Sequence, residues 1–280
     1  MMDLHLHTLH SDGALNVPAV FSLCRSQGLR IVAITDHDTL THLENIREIA
    51  EPFGLTCHIG CEFSLQYGEF EVHTLGYDFE ASDELKQIMS DRHVRRTERY
   101  LRIIDSLRAE GFVYNPAFPS AFRDGQFAFS RQVLAQSENE ERLQKEGIST
   151  IQDFVARYLE LERGIYLPQN LMDIEEGIAL IKKYGGMAVI AHPFRTFAKD
   201  RQHILTHLDV CAGFGAEGIE VGYSSHSIED ALELHEFAGR RNLFETGGSD
   251  FHRTNDGEPS LPGAWKDYGI TLRLPDFIRQ

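Results

Sequence analysis

Residues 3–13 read DLHLHTLHSDG, and this short stretch predicts both a strand and a metal site. Polar and apolar residues alternate from Asp3 to His7, which is the two-residue period of a β-strand. On such a strand His5 and His7 face the same side. Two imidazoles on one face are a candidate pair of metal ligands, and Asp12 follows them in the turn SDG.

Outward from this strand, short apolar runs alternate with amphipathic segments. In the first eighty residues we predict a helix from Pro18 to Gln27, the strand IVAIT, a helix from Leu40 to Phe53, and the strands LTCHIGCEFSL and EVHTLGYDF. After residue 170 we predict the strands MAVIAH, GIEVG and LFETGGSD and helices near 174–184, 201–214 and 228–241. This order predicts an α/β fold with a parallel sheet and crossover helices.

The middle of the chain has a different pattern. From residue 82 to residue 164 the apolar spacing is helical, with Tyr100, Ile104 and Leu107 on one face. We therefore predict a discontinuous α/β domain, formed by residues 1–81 and 165–280, with a helical insertion subdomain at 82–164.

Composition limits the kind of protein that this chain can be. It has 280 residues, is 42% hydrophobic and carries a formal net charge of −16. Such a charge argues against a protein that wraps long nucleic acid, because that affinity comes mainly from neutralising phosphates. We find neither a long apolar run nor a secretory signal, so we expect no membrane contact and a cytoplasmic location. The four cysteines are irregularly spaced and are expected to be reduced thiols.

Further polar residues fall at or near the ends of the predicted strands. They are Asp36, His37 and Asp38 after IVAIT, Glu62 in GCEF, His73 in EVHTLGY, His192 after MAVIA, and Asp250 and His252 in GGSDFH. Each histidine taken alone could be a hydrogen-bonded core or surface residue, and each aspartate a helix cap. Together, on strands that one sheet brings close, they favour a metal site. Imidazole and carboxylate ligands without thiolate point to Mn, Zn or Fe rather than Ca.

The strings DLHLHTLHSDG, ITDHDT, GCEFS, EVHTLGY, IAHPFR and GGSDFH resemble, in order and spacing, the motifs of the polymerase-and-histidinol-phosphatase (PHP) family of phosphoesterases. The resemblance implies a distorted (β/α)7 barrel and a centre of three divalent transition-metal ions. It implies a first ion on His5, His7, Glu62 and Asp250, a second on Glu62, His73 and His192, and a third on Asp12, His37 and His252. A metal-bridging hydroxide held by Glu62 is the expected nucleophile.

Such a centre suits phosphate ester hydrolysis, because closely spaced divalent ions stabilise both the attacking and the leaving oxygen. His226 in YSSHS is a candidate acid for the leaving group, the alternative being a surface histidine. Arg92, Arg96 and Arg99 lie on one stripe of a predicted helix, and guanidinium suits phosphate. The candidate substrate-binding residues are Arg96, Arg99, Ser130, Arg131 and Arg195.

The arginine-rich segment RRTER and the pair SR at 130–131 are similar to the branch of the family that removes the 3′-phosphate from nucleoside 3′,5′-bisphosphates. Some members of that branch also trim very short RNA. Thr97 interrupts the arginine run, and QVLAQSENEERLQ departs from the branch's pattern. The expected partner is a small phosphorylated substrate, a nucleotide, whose base could stack on Phe118, Phe122, Phe127 or Phe129 unless these are core residues.

Three alternatives stay open at this point. The first is a phosphatase of the histidinol-phosphate type, which would share the metal site. The second is a non-catalytic, metal-stabilised module, and the third is a carbon–nitrogen amidohydrolase. The oligomeric state is not predicted.

Overall fold

The computed structural model describes residues 1–115, 126–160, 163–252, 261–263, 265 and 268–278. Its strands are β1 (Met2–Leu6), β2 (Ile31–Ile34), β3 (Thr56–His58), β4 (Gly60–Tyr67), β5 (Phe70–Tyr77), β6 (Met172–Asp173), β7 (Met187–Ile190), β8 (Gly218–Tyr223) and β9 (Phe244–Gly248). Its α-helices are α1 (Val17–Ser26), α2 (Ile46–Ala50), α3 (Asp83–Ala109), α4 (Gln126–Leu134), α5 (Glu140–Lys145), α6 (Ile151–Phe154), α7 (Ile174–Lys183), α8 (Pro193–Thr196), α9 (Ile204–Gly213) and α10 (Ile228–Arg241).

The strands form two sheets, one with the order β1-β2-β3 and one with the order β6-β4-β5-β7-β8-β9. The first sheet is parallel, as are the pairs β7–β8 and β8–β9. The α/β class is confirmed. The expectation of a wholly parallel sheet is wrong, because β5 runs antiparallel to both β4 and β7.

A two-residue loop causes this reversal. Gly68 and Glu69 join β4 to β5, and Gly68 has φ +54°, a left-handed conformation that glycine adopts without steric cost. Antiparallel strands can be joined by so short a connection, whereas parallel strands need a long crossover. The two predicted strands therefore form a hairpin.

Other boundaries also differ from the predictions. The helix predicted from Leu40 to Phe53 is α-helical only over α2 and is flanked by 3-10 turns. The segment LTCHIGCEFSL is divided between β3 and β4, with Ile59 between them. Glu62 consequently lies inside β4, where it pairs with Leu75, rather than after a strand.

Backbone hydrogen bonds join the two sheets at both sides. The Asp250 N–H donates to the His5 carbonyl and the His7 N–H to the Phe251 carbonyl, both at 2.9 Å. On the other side, the Glu62 N–H donates to the Thr35 carbonyl at 3.1 Å. The carboxyl ends of β1, β2 and β9 and the beginning of β4 therefore meet in one place.

The chain divides into two compact units, Met1–Met89 with Leu171–Gln280, and Ser90–Asn170. In the second unit Phe129 is fully buried, and its ring lies 5.3 Å from Tyr100 and 6.0 Å from Tyr114. Phe129 is therefore a core residue. Phe118 and Phe122 lie outside the described residues, and so does the side chain of Phe127. No helix in the described part of the chain is long and apolar enough to cross a membrane.

Candidate metal centre

The first group of ligands gathers where β1 ends. The Nε2 atoms of His5 and His7 each lie 3.1 Å from Glu62 Oε2. The same atoms are 3.4 and 3.2 Å from Asp250 Oδ1. All four side chains are buried, and one atom from each lies within 4.8 Å of the others. His5 and His7 can both reach Glu62 and Asp250 because residues two apart project from the same face of a strand.

A second group forms on the other oxygen of Glu62. Its Oε1 is 2.8 Å from His73 Nδ1 on β5 and 3.2 Å from His192 Nε2, which follows β7. His37 also approaches Glu62, with Nδ1 3.2 Å from Oε2, and joins Glu62 and His73 in a compact group. Glu62 thus presents one carboxylate oxygen to each of two sets of imidazoles, which is the arrangement of a bridging ligand.

Asp12 is the centre of a third group. Its Oδ1 lies 3.0 Å from His252 Nε2, 3.6 Å from His7 Nδ1 and 3.9 Å from His37 Nε2. All nine predicted ligands fall in these three groups, with His192 placed in the second by its contact with Glu62. His7 contributes to both the first and the third group through its two ring nitrogens, which the sequence did not indicate.

The donor atoms of these groups fit a cation. Among the described residues, the buried ligand atoms that make no hydrogen bond are His5 Nε2, His7 Nε2, His37 Nδ1, His73 Nδ1 and Glu62 Oε2. Buried polar atoms are normally paired, because leaving one unpaired costs about 1–3 kcal/mol. Five such atoms converging on one place, all nitrogen or carboxylate oxygen, have the chemistry that divalent transition metals prefer.

The histidine ligands differ in charge state. Burial lowers the pKa of His37 to about 3 and that of His192 to about 4, so both imidazoles are neutral at neutral pH. Burial would also lower the pKa of His7 and His73, but neighbouring carboxylates raise both to about 10, so a metal ion must displace a proton from each. Burial alone would raise the pKa of Glu62, but the surrounding imidazoles, those of His5 and His73 among them, hold it well below its usual range. Glu62 is therefore ionised. Neutral imidazole and ionised carboxylate are the forms that bind metal.

Asp36 holds the loop that carries Asp12. Its carboxylate accepts hydrogen bonds from the Thr8 N–H at 2.7 Å, from the Thr8 hydroxyl at 2.6 Å and from the Ser11 hydroxyl at 2.6 Å. Two ligands on other loops have strained backbones, with φ +29° at His192 and φ +55° at Asp250. A positive φ costs conformational free energy in a residue other than glycine, and such residues concentrate at functional sites.

Two residues that hydrogen-bond to the ligands were not predicted from the sequence. Glu220 is buried in β8 and accepts a hydrogen bond from His5 Nδ1 at 3.0 Å. The Tyr223 hydroxyl donates to Asp250 Oδ2 at 3.0 Å. A carboxylate inside the apolar strand GIEVG was the available signal for Glu220, since a buried charge needs a partner. Tyr223 gave no such signal, because tyrosine is common in buried strands.

Arg195 lies at this centre as well. Its Nη1 is 2.7 Å from Asp250 Oδ2 and 2.9 Å from the Tyr223 hydroxyl. The side chain is nevertheless 57% exposed. One edge of the guanidinium is therefore anchored to a ligand carboxylate while much of the group faces solvent.

His226 is not a surface histidine. It is 1% exposed, its Nδ1 lies 3.0 Å from the Val221 carbonyl, and its ring packs against Tyr223 and Phe194. The alternative reading of the sequence was therefore wrong, because the turn after β8 folds inward. Its role as an acid stays a prediction.

The other candidate substrate residues belong to the second unit. Arg99 is 6% exposed, and its Nε donates to the Leu167 carbonyl at 2.8 Å. Ser130 is fully buried and donates to the Gln126 carbonyl at 2.8 Å. Arg131 is exposed and Arg96 is half-buried. Arg99 and Ser130 therefore support the packing of this unit, and substrate contact by all four stays a prediction.

Known proteins resemble the chain over almost its whole length. A family model described as PHP domain matches residues 3–167. The 3′,5′-nucleoside bisphosphate phosphatase of Chromobacterium violaceum is 29% identical over 280 residues, which cover 99% of this chain and 94% of that protein. The 5′-3′ exoribonuclease Rnm of Escherichia coli is 27% identical, covering 98% and 89%. A solved structure from Bifidobacterium adolescentis, assigned as a metal-dependent phosphoesterase, is 25% identical with a TM-score of 0.73, covering 99% and 94%.

Proposed function

This chain belongs to the PHP domain family, and on that premise we propose that it is a metal-dependent phosphoesterase that removes the 3′-phosphate from nucleoside 3′,5′-bisphosphates. Short oligoribonucleotides are a second substrate class within the proposal. The names of the relatives from C. violaceum and E. coli support both substrates. Long nucleic acid is not part of the proposal, because the net charge of −16 would repel it.

The observation that carries the proposal is the position of Glu62. Its two carboxylate oxygens face different sets of imidazoles, His5 with His7 on one side and His73 with His192 on the other. A carboxylate in this position could hold two divalent ions, which together would supply the charge stabilisation that phosphoryl transfer uses. The Asp12 group would hold a third ion, and Mn, Zn or Fe suits these donors.

Divalent ions held by these residues would lower the pKa of a bound water and polarise phosphoryl oxygens. The chain's own groups do the rest. Arg195 offers the exposed part of its guanidinium to a phosphate, and fork-shaped donors suit two phosphate oxygens at once. Its bond to Asp250 holds it beside the ligands, so that it orients the substrate's phosphate relative to them.

The proposal extends to the architecture. Seven strands, namely β1, β2, β4, β5, β7, β8 and β9, would close into a distorted barrel. The backbone hydrogen bonds from β1 to the residues after β9, and from β4 to β2, support this closure. We also propose that residues 82–164 form a helical insertion subdomain in a domain made of residues 1–81 and 165–280, and the separate compact unit Ser90–Asn170 supports this.

The test is phosphate release by the manganese-loaded protein from adenosine 3′,5′-bisphosphate, adenosine 5′-monophosphate and histidinol phosphate. We expect the bisphosphate to react with a kcat/KM at least tenfold above those of the other two. Equal or faster turnover of histidinol phosphate would contradict the nucleotide assignment. If the metal-loaded protein releases no phosphate from any of the three substrates, the result would favour a non-catalytic module.

A further inference from the structure

Glu220 makes two hydrogen bonds, and each goes to a different metal ligand. It lies in the middle of β8 with 1% of its surface exposed. One oxygen, Oε1, is 3.0 Å from Nδ1 of His5. The other, Oε2, accepts the backbone N–H of His192 at 2.8 Å. A single buried carboxylate thus spans a ligand of the first group and a ligand of the second.

The bond to His5 determines which ring nitrogen can bind a metal. When Nδ1 donates to Glu220, the proton of the neutral imidazole is on Nδ1 and the lone pair is on Nε2. That Nε2 atom is the one that lies 3.1 Å from Glu62 and 3.4 Å from Asp250. Glu220 therefore selects the tautomer in which His5 can serve as a ligand.

The bond to His192 acts on the backbone. His192 has φ 29° and ψ 61°, a conformation that a residue with a side chain rarely adopts. Its N–H donates to Glu220 Oε2 at 2.8 Å. With the backbone held in this way, Nε2 of His192 lies 3.2 Å from Glu62 Oε1.

We propose that Glu220 is a positioning residue that fixes His5 and His192 together and thereby makes binding at the first and second ion sites interdependent. This inference rests on the metal centre proposed above. Hydrogen bonds from ligating histidines to carboxylates are a general feature of metal sites, and losing one costs about 10–100-fold in metal affinity. Here the same carboxylate serves two ligands that are 187 positions apart in the sequence.

The matched control is Glu245 on the neighbouring strand β9. It too is fully buried and bonded to a histidine, with Oε2 at 2.9 Å from His235 Nδ1. Its remaining bonds go to Arg273. Glu245 contacts none of the predicted ligands in the described residues, so it separates the effect of losing a buried carboxylate from the effect on the metal centre.

The experiment compares Glu220→Gln with Glu245→Gln in the full chain. Glutamine has an acceptor oxygen at only one of the two positions that the Glu220 oxygens occupy, so either His5 Nδ1 or the His192 N–H faces its NH2 group instead. We expect Glu220→Gln to bind zinc and manganese about 10–100-fold more weakly, to carry fewer ions per chain, and to regain phosphatase activity as manganese is raised. We expect Glu245→Gln to melt at a lower temperature with wild-type metal affinity.

Two results would overturn the inference, namely wild-type metal affinity in Glu220→Gln, or an equal loss of affinity in both variants. If Glu220→Gln does not fold, NMR of the zinc-loaded wild type labelled with ¹⁵N-histidine decides. A proton on Nδ1 of His5 supports the inference, and a proton on Nε2 contradicts it. If the wild type binds its ions normally but hydrolyses no phosphate ester, the proposed function fails and the inference about Glu220 stands.

Discussion

Replacing Gly248 with alanine adds one methyl group where β9 packs against His5 of β1. An ideal Cβ at Gly248 would lie 2.3 Å from His5 Cβ and 2.7 Å from the His5 backbone nitrogen. Carbon atoms in contact are normally about 3.5–4.0 Å apart. The two strands must therefore separate by about 1.2 Å, and the obstacle is mainly backbone, which cannot rotate away.

The cost of this separation follows from its location. Overpacking of a buried site typically lowers the free energy of unfolding by about 1–3 kcal/mol. His5 is a ligand candidate of the first group, and a 1 Å misplacement of a catalytic group can cost about 100-fold in rate. We therefore expect Gly248→Ala to lose about 1–3 kcal/mol in stability and about 100-fold in kcat/KM.

The assay pairs urea denaturation of the metal-free protein with metal titration and phosphate release. Gly213→Ala at the end of α9 is the control, because a Cβ there would meet no atom within 4 Å. We expect this control to behave like the wild type. Wild-type metal affinity and activity in Gly248→Ala would refute the argument, since it would mean that β1 and β9 are not in such close contact beside His5.

Other perturbations test separate parts of the centre. Tyr223→Phe removes the hydroxyl that donates to Asp250, so the free energy of unfolding should fall by about 1 kcal/mol in urea and the metal ions should bind more weakly. Arg195→Ala, at saturating manganese, should raise KM for adenosine 3′,5′-bisphosphate about tenfold with a smaller change in kcat, and an unchanged KM would remove Arg195 from the substrate site. Chelation should lower the melting temperature, and free metal at 100 times its Kd should restore about 2.7 kcal/mol of stability, as followed by calorimetry. Burial would raise the pKa of Asp78, but the hydrogen bond from His58 lowers it below 3.8. This stabilisation is present above pH 4 and is lost as the pH falls through the folded value, so Asp78→Asn should cost roughly 1 kcal/mol at pH 7 and less at pH 3 in urea melts.

Local patterns were sufficient to predict much of the fold. Helix α10 begins and ends where the sequence predicts, because Ser227 and Asp230 form a capping box and Asn242 adopts the left-handed conformation that ends a helix. The spacing of His5 and His7 predicted a shared face for the same reason, since the period of a strand is a local property.

Features that depend on distant partners could not be predicted in this way. The antiparallel pairing of β4 and β5 depends on a two-residue loop, and the sequence of that loop is also compatible with turns that do not form a hairpin. The internal contacts of Arg99 and Ser130 depend on the backbone carbonyls that they meet in the folded unit. The spacing of apolar residues does not predict where a backbone carbonyl will lie in the folded unit. The sequence therefore suggested a basic, phosphate-binding surface that included Arg99, whereas the Arg99 side chain is buried and bonded to a carbonyl.

The two ends of the ligand set meet through the hydrogen bonds between β1 and the residues after β9. During synthesis on the ribosome, His5 and His7 emerge well before Asp250 and His252. The complete ligand set can form only after these last two residues have been synthesised. Contacts so distant along a chain close late and slowly, because the loop entropy must be overcome first. A nascent chain of this protein therefore holds His5, His7 and Glu62 without Asp250, and it acquires its full affinity for metal only after translation has passed residue 252.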